Sequence, residues 1–248
     1  MVSVPILAPL IVLVMGFCLY RIGQFVQREQ TEARNILPYK MAASTGFLLL
    51  ACAGMPWTTH FGIAVALGLF FSWWGDLFLA LRAKTYFLLG VAAFALAHIS
   101  YAAAFLLRPY GDGRTILERM SQDSPYVYDL PVAPIDTLGV FLLLCLIGAY
   151  VFVWVRRGAA GMRTAVAAYI LIINAMVALA VGAYAAGASF LLPFAAVVFY
   201  VSDLFVARQH FRVPSPWNVW IGLPLYYTAQ VAFALSVFTA APSVPMVP

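Results

Sequence analysis

The chain has 248 residues, of which 65% are hydrophobic and only 9% charged. A soluble domain carries about 25% charged residues, so this composition cannot supply a water-facing surface, and the exterior must meet lipid. The formal net charge of +5 comes from basic residues in short connections between apolar runs, where they report orientation and contact with anionic lipid heads; nucleic acid is not an expected partner.

The apolar runs are about 20 residues long, the length of a membrane-crossing helix, and a helix satisfies its own backbone hydrogen bonds inside lipid. The expected fold is therefore all-α: one polytopic transmembrane domain over residues 1–248 with about eight spans. The first, Pro5–Phe25, is preceded by no basic stretch, so a cleaved signal peptide is not expected. The second, Leu37–Met55, carries Lys40 near its start. The third, Phe61–Leu81, contains Ser72 and, one turn later on the same face, Asp76. Its aromatic cluster Phe70, Phe71, Trp73 and Trp74 suits core packing or a lipid-chain pocket equally. The fourth span, Tyr86–Leu107, places His98 and Tyr101 on one helix face.

Residues 108–134 form the one long connection, with Asp112, Glu118, Asp123 and Asp129, and read as a solvated connector with room for a short amphipathic turn over Thr115–Met120. The fifth and sixth spans are Ile135–Val155 and Arg163–Ala183, the latter with Asn174 at its middle. A short Gly/Ala/Ser joint separates the sixth from the seventh, Ala188–Ala207, because the combined run is far too long for one crossing. The seventh carries Asp203; the eighth, Trp217–Thr239, carries Tyr226, Tyr227 and Gln230, and opens with Trp217 and Trp220 as an interfacial belt. Cys18, Cys52 and Cys145 lie inside apolar runs without ligand spacing and read as buried small hydrophobes.

Of the 14 Lys and Arg residues, 11 fall in connections after odd-numbered spans, and Arg108, Arg114 and Arg119 share the long loop. The positive-inside rule then puts the odd connections in the cytoplasm and both termini on the other side, in the inner membrane if the source is bacterial. A weak internal repeat joins Gly75–Arg82 to Ser202–Arg208, consistent with half-repeats 1–107 and 135–248 of like orientation linked by loop 108–134.

Charged side chains within spans are costly and mark function by default. This chain has two such carboxylates, Asp76 and Asp203, each roughly 8–9 Å by helix rise above the terminal arginine of its span. If the halves pack face to face, the two approach each other, and carboxyl groups brought together away from water tend to hold one proton between them. One acid and one base serve a hydrolase; the same pair serves ion or proton coupling in a secondary transporter, or pins neighbouring helices. His98, some 20 Å from the basic end by helix rise, is expected deeper than the aspartates, lining the apolar part of a cavity. Ser72, Tyr101, Asn174, Tyr226, Tyr227, Gln230 and Lys40 supply further polar groups, for each of which interhelical hydrogen bonding is the simpler account. No nucleophile elbow, zinc-protease helix or phosphate loop occurs, so neither cofactor nor metal is expected.

The stretches S-W-W-G-D-L-F-L-A-L from Ser72, F-L-L-G-V-A-A-F-A-L-A-H-I-S-Y ending at Tyr101, Y-V-S-D-L-F-V-A-R from Tyr200, and L-Y-Y-T-A-Q ending at Gln230 together resemble the YhhN family of membrane proteins, which includes the animal lysoplasmalogenases. The family's Lys-Pro pair at the start of its second span is replaced here by Pro38-Tyr39-Lys40. The resemblance implies hydrolysis of the vinyl ether bond of lysoplasmalogens, giving a fatty aldehyde and glycerophospho-ethanolamine or -choline. It places the paired acids at Asp76 and Asp203, the histidine at His98 and the tyrosines at Tyr101 and Tyr227. Such hydrolysis starts by protonating the β-carbon of the double bond; the resulting oxocarbenium ion needs a nearby anion, and water then attacks with general-base help. Either Asp suits either role on the sequence alone, with His98, Tyr101 and Gln230 positioning substrate or water. Arg82, Lys84, Arg208 and Arg212 stand where a lysophospholipid head group would lie.

Overall fold

The computed structural model describes residues 4–81, 83–108 and 131–239. Among these the elements are α1 (Val4–Gln27), α2 (Ala33–Ala53), a 3-10 turn (Pro56–Thr58), α3 (His60–Ala80), α4 (Lys84–Leu106), α5 (Pro134–Val155), α6 (Arg163–Ala185), α7 (Leu191–Phe211) and α8 (Pro216–Thr239), with no strand. All eight helices are long and apolar enough to cross a membrane. The acidic part of the long loop, including Thr115–Met120, and Arg82 lie outside the described residues.

Helix ends depart from the apolar runs by a few residues because backbone hydrogen bonding continues past the last apolar side chain. Helix α2 begins at Ala33 and accommodates Pro38 inside it, and α7 runs through Arg208, Gln209 and His210 to Phe211. Between α6 and α7 the chain reverses on Gly187, whose φ of 87° only glycine adopts without strain; Gly187 and Ala188 cap the carbonyls of Tyr184 and Ala183. Thr59 caps α3 by accepting from the amide of Gly62 at 2.9 Å.

Consecutive helices pair as hairpins: α1 with α2, α3 with α4, α5 with α6, α7 with α8. Helix α8 is the most enclosed, touching α1, α2, α3 and α7, while α4 and α7 both pack on α6. Helix α5 is the outermost, with Ile135, Leu146 and Tyr150 at least 73% exposed, as expected of a face in lipid, where apolar exposure costs nothing. The close α3–α4 pairing depends on Gly68, since a Cβ there would enter the ring of Tyr101. The Phe70, Trp74, Phe78 and Tyr86 rings form an edge-to-face and stacked strip. With Phe70 and Trp74 exposed, that strip faces outward, and only Phe78 reaches the internal cavity. Of the cysteines only Cys18 is buried; Cys52 is exposed on the bundle exterior, where an apolar surround fills the role expected of a core.

Candidate active site

Two carboxylates from different halves of the chain reach one cavity of about 560 Å³. It extends from Gln209, His210 and Asn218, near the end of the bundle carrying the basic connections, inward to Lys40, Asp76, Tyr169, Tyr200, Asp203 and Tyr226. Apolar side chains from α1 to α8, such as Ile36, Phe94, Val155 and Leu223, make up most of the remaining wall.

Asp76 is almost fully buried and every part of its carboxylate is occupied. Lys40 Nζ lies 3.1 Å from Oδ1. Ser44 Oγ lies 2.6 Å from Oδ2, Tyr226 Oη donates to the same oxygen at 2.8 Å, and Tyr227 Oη lies 3.5 Å away. Tyr227 also reaches the Lys40 carbonyl at 3.1 Å and Ser44 Oγ at 2.9 Å. A consistent set has Ser44 and Tyr226 donating to Asp76 and Tyr227 donating to the Lys40 carbonyl. The Lys40–Asp76 pair is net neutral and hydrogen-bonded on its remaining lone pairs, the condition under which a buried ion pair is tolerated.

Behind Asp76, away from the cavity, a second cluster closes the core. Tyr101 Oη donates to Gln230 Oε1 at 2.7 Å, and Gln230 Nε2 donates to Ser72 Oγ at 3.1 Å. All three residues are buried, and none lines the cavity, so they brace α3, α4 and α8 against one another.

Asp203 has different surroundings. Tyr169 Oη donates to its Oδ2 at 2.6 Å, and His98 Nε2 lies 3.3 Å from the same oxygen and 2.9 Å from Tyr169 Oη. Among the described residues no protein group bonds Oδ1, and the side chain keeps 17% of its surface exposed. His98 Nδ1 is buried without a partner. A proton there would be an unsatisfied buried donor, so the ring proton belongs on Nε2, where it faces Tyr169 and Asp203.

Two expectations need correction. No hydrogen bond joins the two carboxylates; each has gathered its own donors, which relieves the repulsion that would force a shared proton. And His98, although its backbone is deeper, does not line the apolar part of the cavity but touches Asp203. Helix rise from separate helix ends is a poor common ruler. Phe87 of α4 stacks on His210 of α7 with ring centroids 3.5 Å apart, and from that level Asp203 stands about 11 Å and His98 about 16 Å up. The helices are antiparallel and Cα–Cβ bonds lean toward each N-terminus, so the two side chains tilt toward each other and close the gap.

The other sequence candidates are dispersed. Asn174 Nδ2 donates to the Leu144 carbonyl at 3.0 Å and ties α6 to α5 outside the cavity. Arg208 donates to Asn218 Oδ1, and Asn218 Nδ2 donates to Gln209 Oε1 at 2.6 Å, so Arg208 belongs to a polar network at the end of the cavity near the basic connections. Arg212 lies over the Trp154 ring at 5.6 Å instead. Trp217 is exposed. Two residues escaped the sequence reading. Ser44 follows Lys40 by one turn on the same helix face, and Tyr169 stands about 9 Å above the start of α6, near the depth assigned to Asp203; matching depths was the available signal.

Fold and site define a polytopic helical membrane protein with an intramembrane carboxylate chamber. The model of the YhhN family matches residues 37–237, and the chain belongs to that family. Lysoplasmalogenase TMEM86A of Bos taurus is 31% identical over 195 residues, covering 77% of this chain and 71% of that protein. Lysoplasmalogenase TMEM86A of Homo sapiens is 30% identical over 203 residues, covering 80% and 71%. No solved structure gives a significant match.

Proposed function

We propose that this protein is a membrane-embedded hydrolase that cleaves the vinyl ether bond of lysoplasmalogens, with ethanolamine or choline head groups, to a fatty aldehyde and the glycerophospho-alcohol. The observation that carries the reading is the pair of unlike carboxylates on one apolar chamber, Asp76 saturated by partners and Asp203 with one oxygen unengaged. The names of the bovine and human relatives point to the same reaction.

The difference between the carboxylates divides the labour. Asp203 Oδ1 can carry a proton into the chamber while Oδ2 is held by Tyr169 and His98; that proton goes to the β-carbon of the double bond. Asp76, fixed as a carboxylate by Lys40, Ser44 and Tyr226, faces the oxocarbenium ion and takes a proton from the attacking water. The hemiacetal then collapses: Asp76 returns its proton to the departing glycerol oxygen, the hemiacetal hydroxyl proton restores Asp203, and aldehyde and alcohol are released. His98 lies behind the chamber wall and positions Asp203; Tyr101, Ser72, Gln230 and Tyr227 position Asp76 through α3 and α8. The apolar wall accepts the alkenyl chain, and the Arg208–Asn218–Gln209 network lies at the head-group end.

Purified protein in phosphatidylcholine vesicles, given lysoplasmenyl-ethanolamine, its saturated alkyl ether and its acyl analogue together, is expected to consume only the vinyl ether, with matching aldehyde release. Loss of the acyl lipid with fatty acid release, or no consumption of any, would overturn the proposal.

A further inference from the structure

Lys40 does more in this chamber than neutralise Asp76. Its side chain is only 10% exposed, yet it contributes to the cavity wall. Its helix position is fixed by contacts of Ser44 and Tyr227 to its own carbonyl at 2.9 and 3.1 Å. A primary amine is thereby presented to an apolar compartment that, on the proposed reaction, fills with an alkyl aldehyde. We infer that Lys40 is a covalent capture site for long-chain aldehydes, forming an imine with the product before it leaves.

The chemistry balances without any further reactant. One ammonium proton passes from Nζ to Asp76 Oδ1, 3.1 Å away, leaving a neutral amine and a neutral acid with no change in the charge of the chamber. The amine lone pair attacks the carbonyl carbon, the C–N bond forms, and the carbonyl oxygen becomes the hydroxyl of a carbinolamine. Asp76 returns its proton to that hydroxyl as the C–O bond breaks, water leaves, and loss of the remaining N–H proton to the carboxylate gives the neutral imine. The sum is aldehyde plus amine to imine plus water. Exclusion of bulk water favours the condensed side, and hydrolysis restores the aldehyde when water enters. Buried lysines next to a proton acceptor are suited to Schiff-base chemistry with carbonyl compounds. The inference rests on the proposed hydrolysis only for the origin of the aldehyde.

The sequence supplies its own control, because Lys40 and Lys84 are the only lysines in the chain. Lys84 is the first residue of α4, next to a basic connection. The full chain in phosphatidylcholine vesicles, which contain no primary amine, is incubated with hexadecanal and sodium cyanoborohydride, and alkylated peptides are quantified by mass spectrometry. Alkylation of Lys40 is expected to exceed that of Lys84 and of the terminal amine by roughly ten-fold, because the cavity raises the local aldehyde concentration. Lys40→Arg keeps the cation and cannot condense; it should lose the Lys40 adduct and leave labelling of Lys84 unchanged. Equal labelling of the two lysines, or labelling confined to Lys84 and the terminus, overturns the inference. Because aldehyde is added directly, that failure is distinct from failure to release aldehyde from lysoplasmalogen, which would count against the hydrolase reading alone.

Discussion

Replacing Lys40 by methionine keeps much of the side-chain volume and removes the charge. Asp76 then remains in the core with Ser44 Oγ at 2.6 Å and Tyr226 Oη at 2.8 Å but without the ammonium at 3.1 Å. Removing one member of a buried ion pair costs about 3–5 kcal/mol, and the surviving hydrogen bonds place this site at the low end, near 3 kcal/mol. Asp76→Asn leaves the opposite orphan, an ammonium facing a neutral amide, at a similar cost. In the double variant no buried charge is left, so most of the penalty should vanish. The cycle is measured by SDS titration in mixed micelles, followed by tryptophan fluorescence. The expected coupling is about 2–3 kcal/mol, with the double variant more stable than the sum of the singles predicts. Additivity to within about 0.5 kcal/mol would refute the claim that these residues form one electrostatic unit.

Further outcomes follow from the same contacts. Tyr169→Phe deletes the 2.6 Å bond to Asp203 while keeping the ring; kcat is expected to fall about ten-fold to a hundred-fold with KM little changed, and unchanged kcat would remove Tyr169 from the account. Gln230→Leu removes the partner of Tyr101 Oη and Ser72 Oγ, leaving the two hydroxyls only each other at 3.5 Å, and should lower stability by about 1–3 kcal/mol in the same SDS titration. Gly68→Ala drives a methyl into the Tyr101 ring; a loss of about 1–3 kcal/mol is expected, and full wild-type stability would mean that α3 and α4 are not packed as closely as described.

Much of this architecture is visible in the sequence because lipid imposes simple rules. Apolar runs of spanning length mark every helix, and a carboxylate inside such a run is conspicuous, so Asp76 and Asp203 stand out without any structure. Which faces of the helices meet is not written in the same way. Ser44 looks like an ordinary small polar residue in A-A-S-T, and Tyr169 like one of 13 tyrosines; each gains its meaning from a helix distant in sequence, α3 for Ser44 and α7 for Tyr169. Helix rise brought Asp76 and Asp203 to one cavity, each measured from the nearby end of its own span. It misplaced His98, measured from the far end of α4, because rise ignores the opposite lean of side chains on antiparallel helices. The two matching segments around the aspartates likewise gave no hint that their surroundings would differ. Asp76 lies about one turn from the end of α3 and meets a lysine, whereas Asp203 lies about two turns from the end of α7 and meets a histidine and a tyrosine.

Catalysis by the two chamber carboxylates is tested most directly by aldehyde release from lysoplasmenyl-ethanolamine with purified Asp76→Asn and Asp203→Asn, each shown to be folded by its SDS titration. Each substitution should lower the rate about a thousand-fold. Release at the wild-type rate in both variants would contradict acid/base catalysis by the chamber carboxylates.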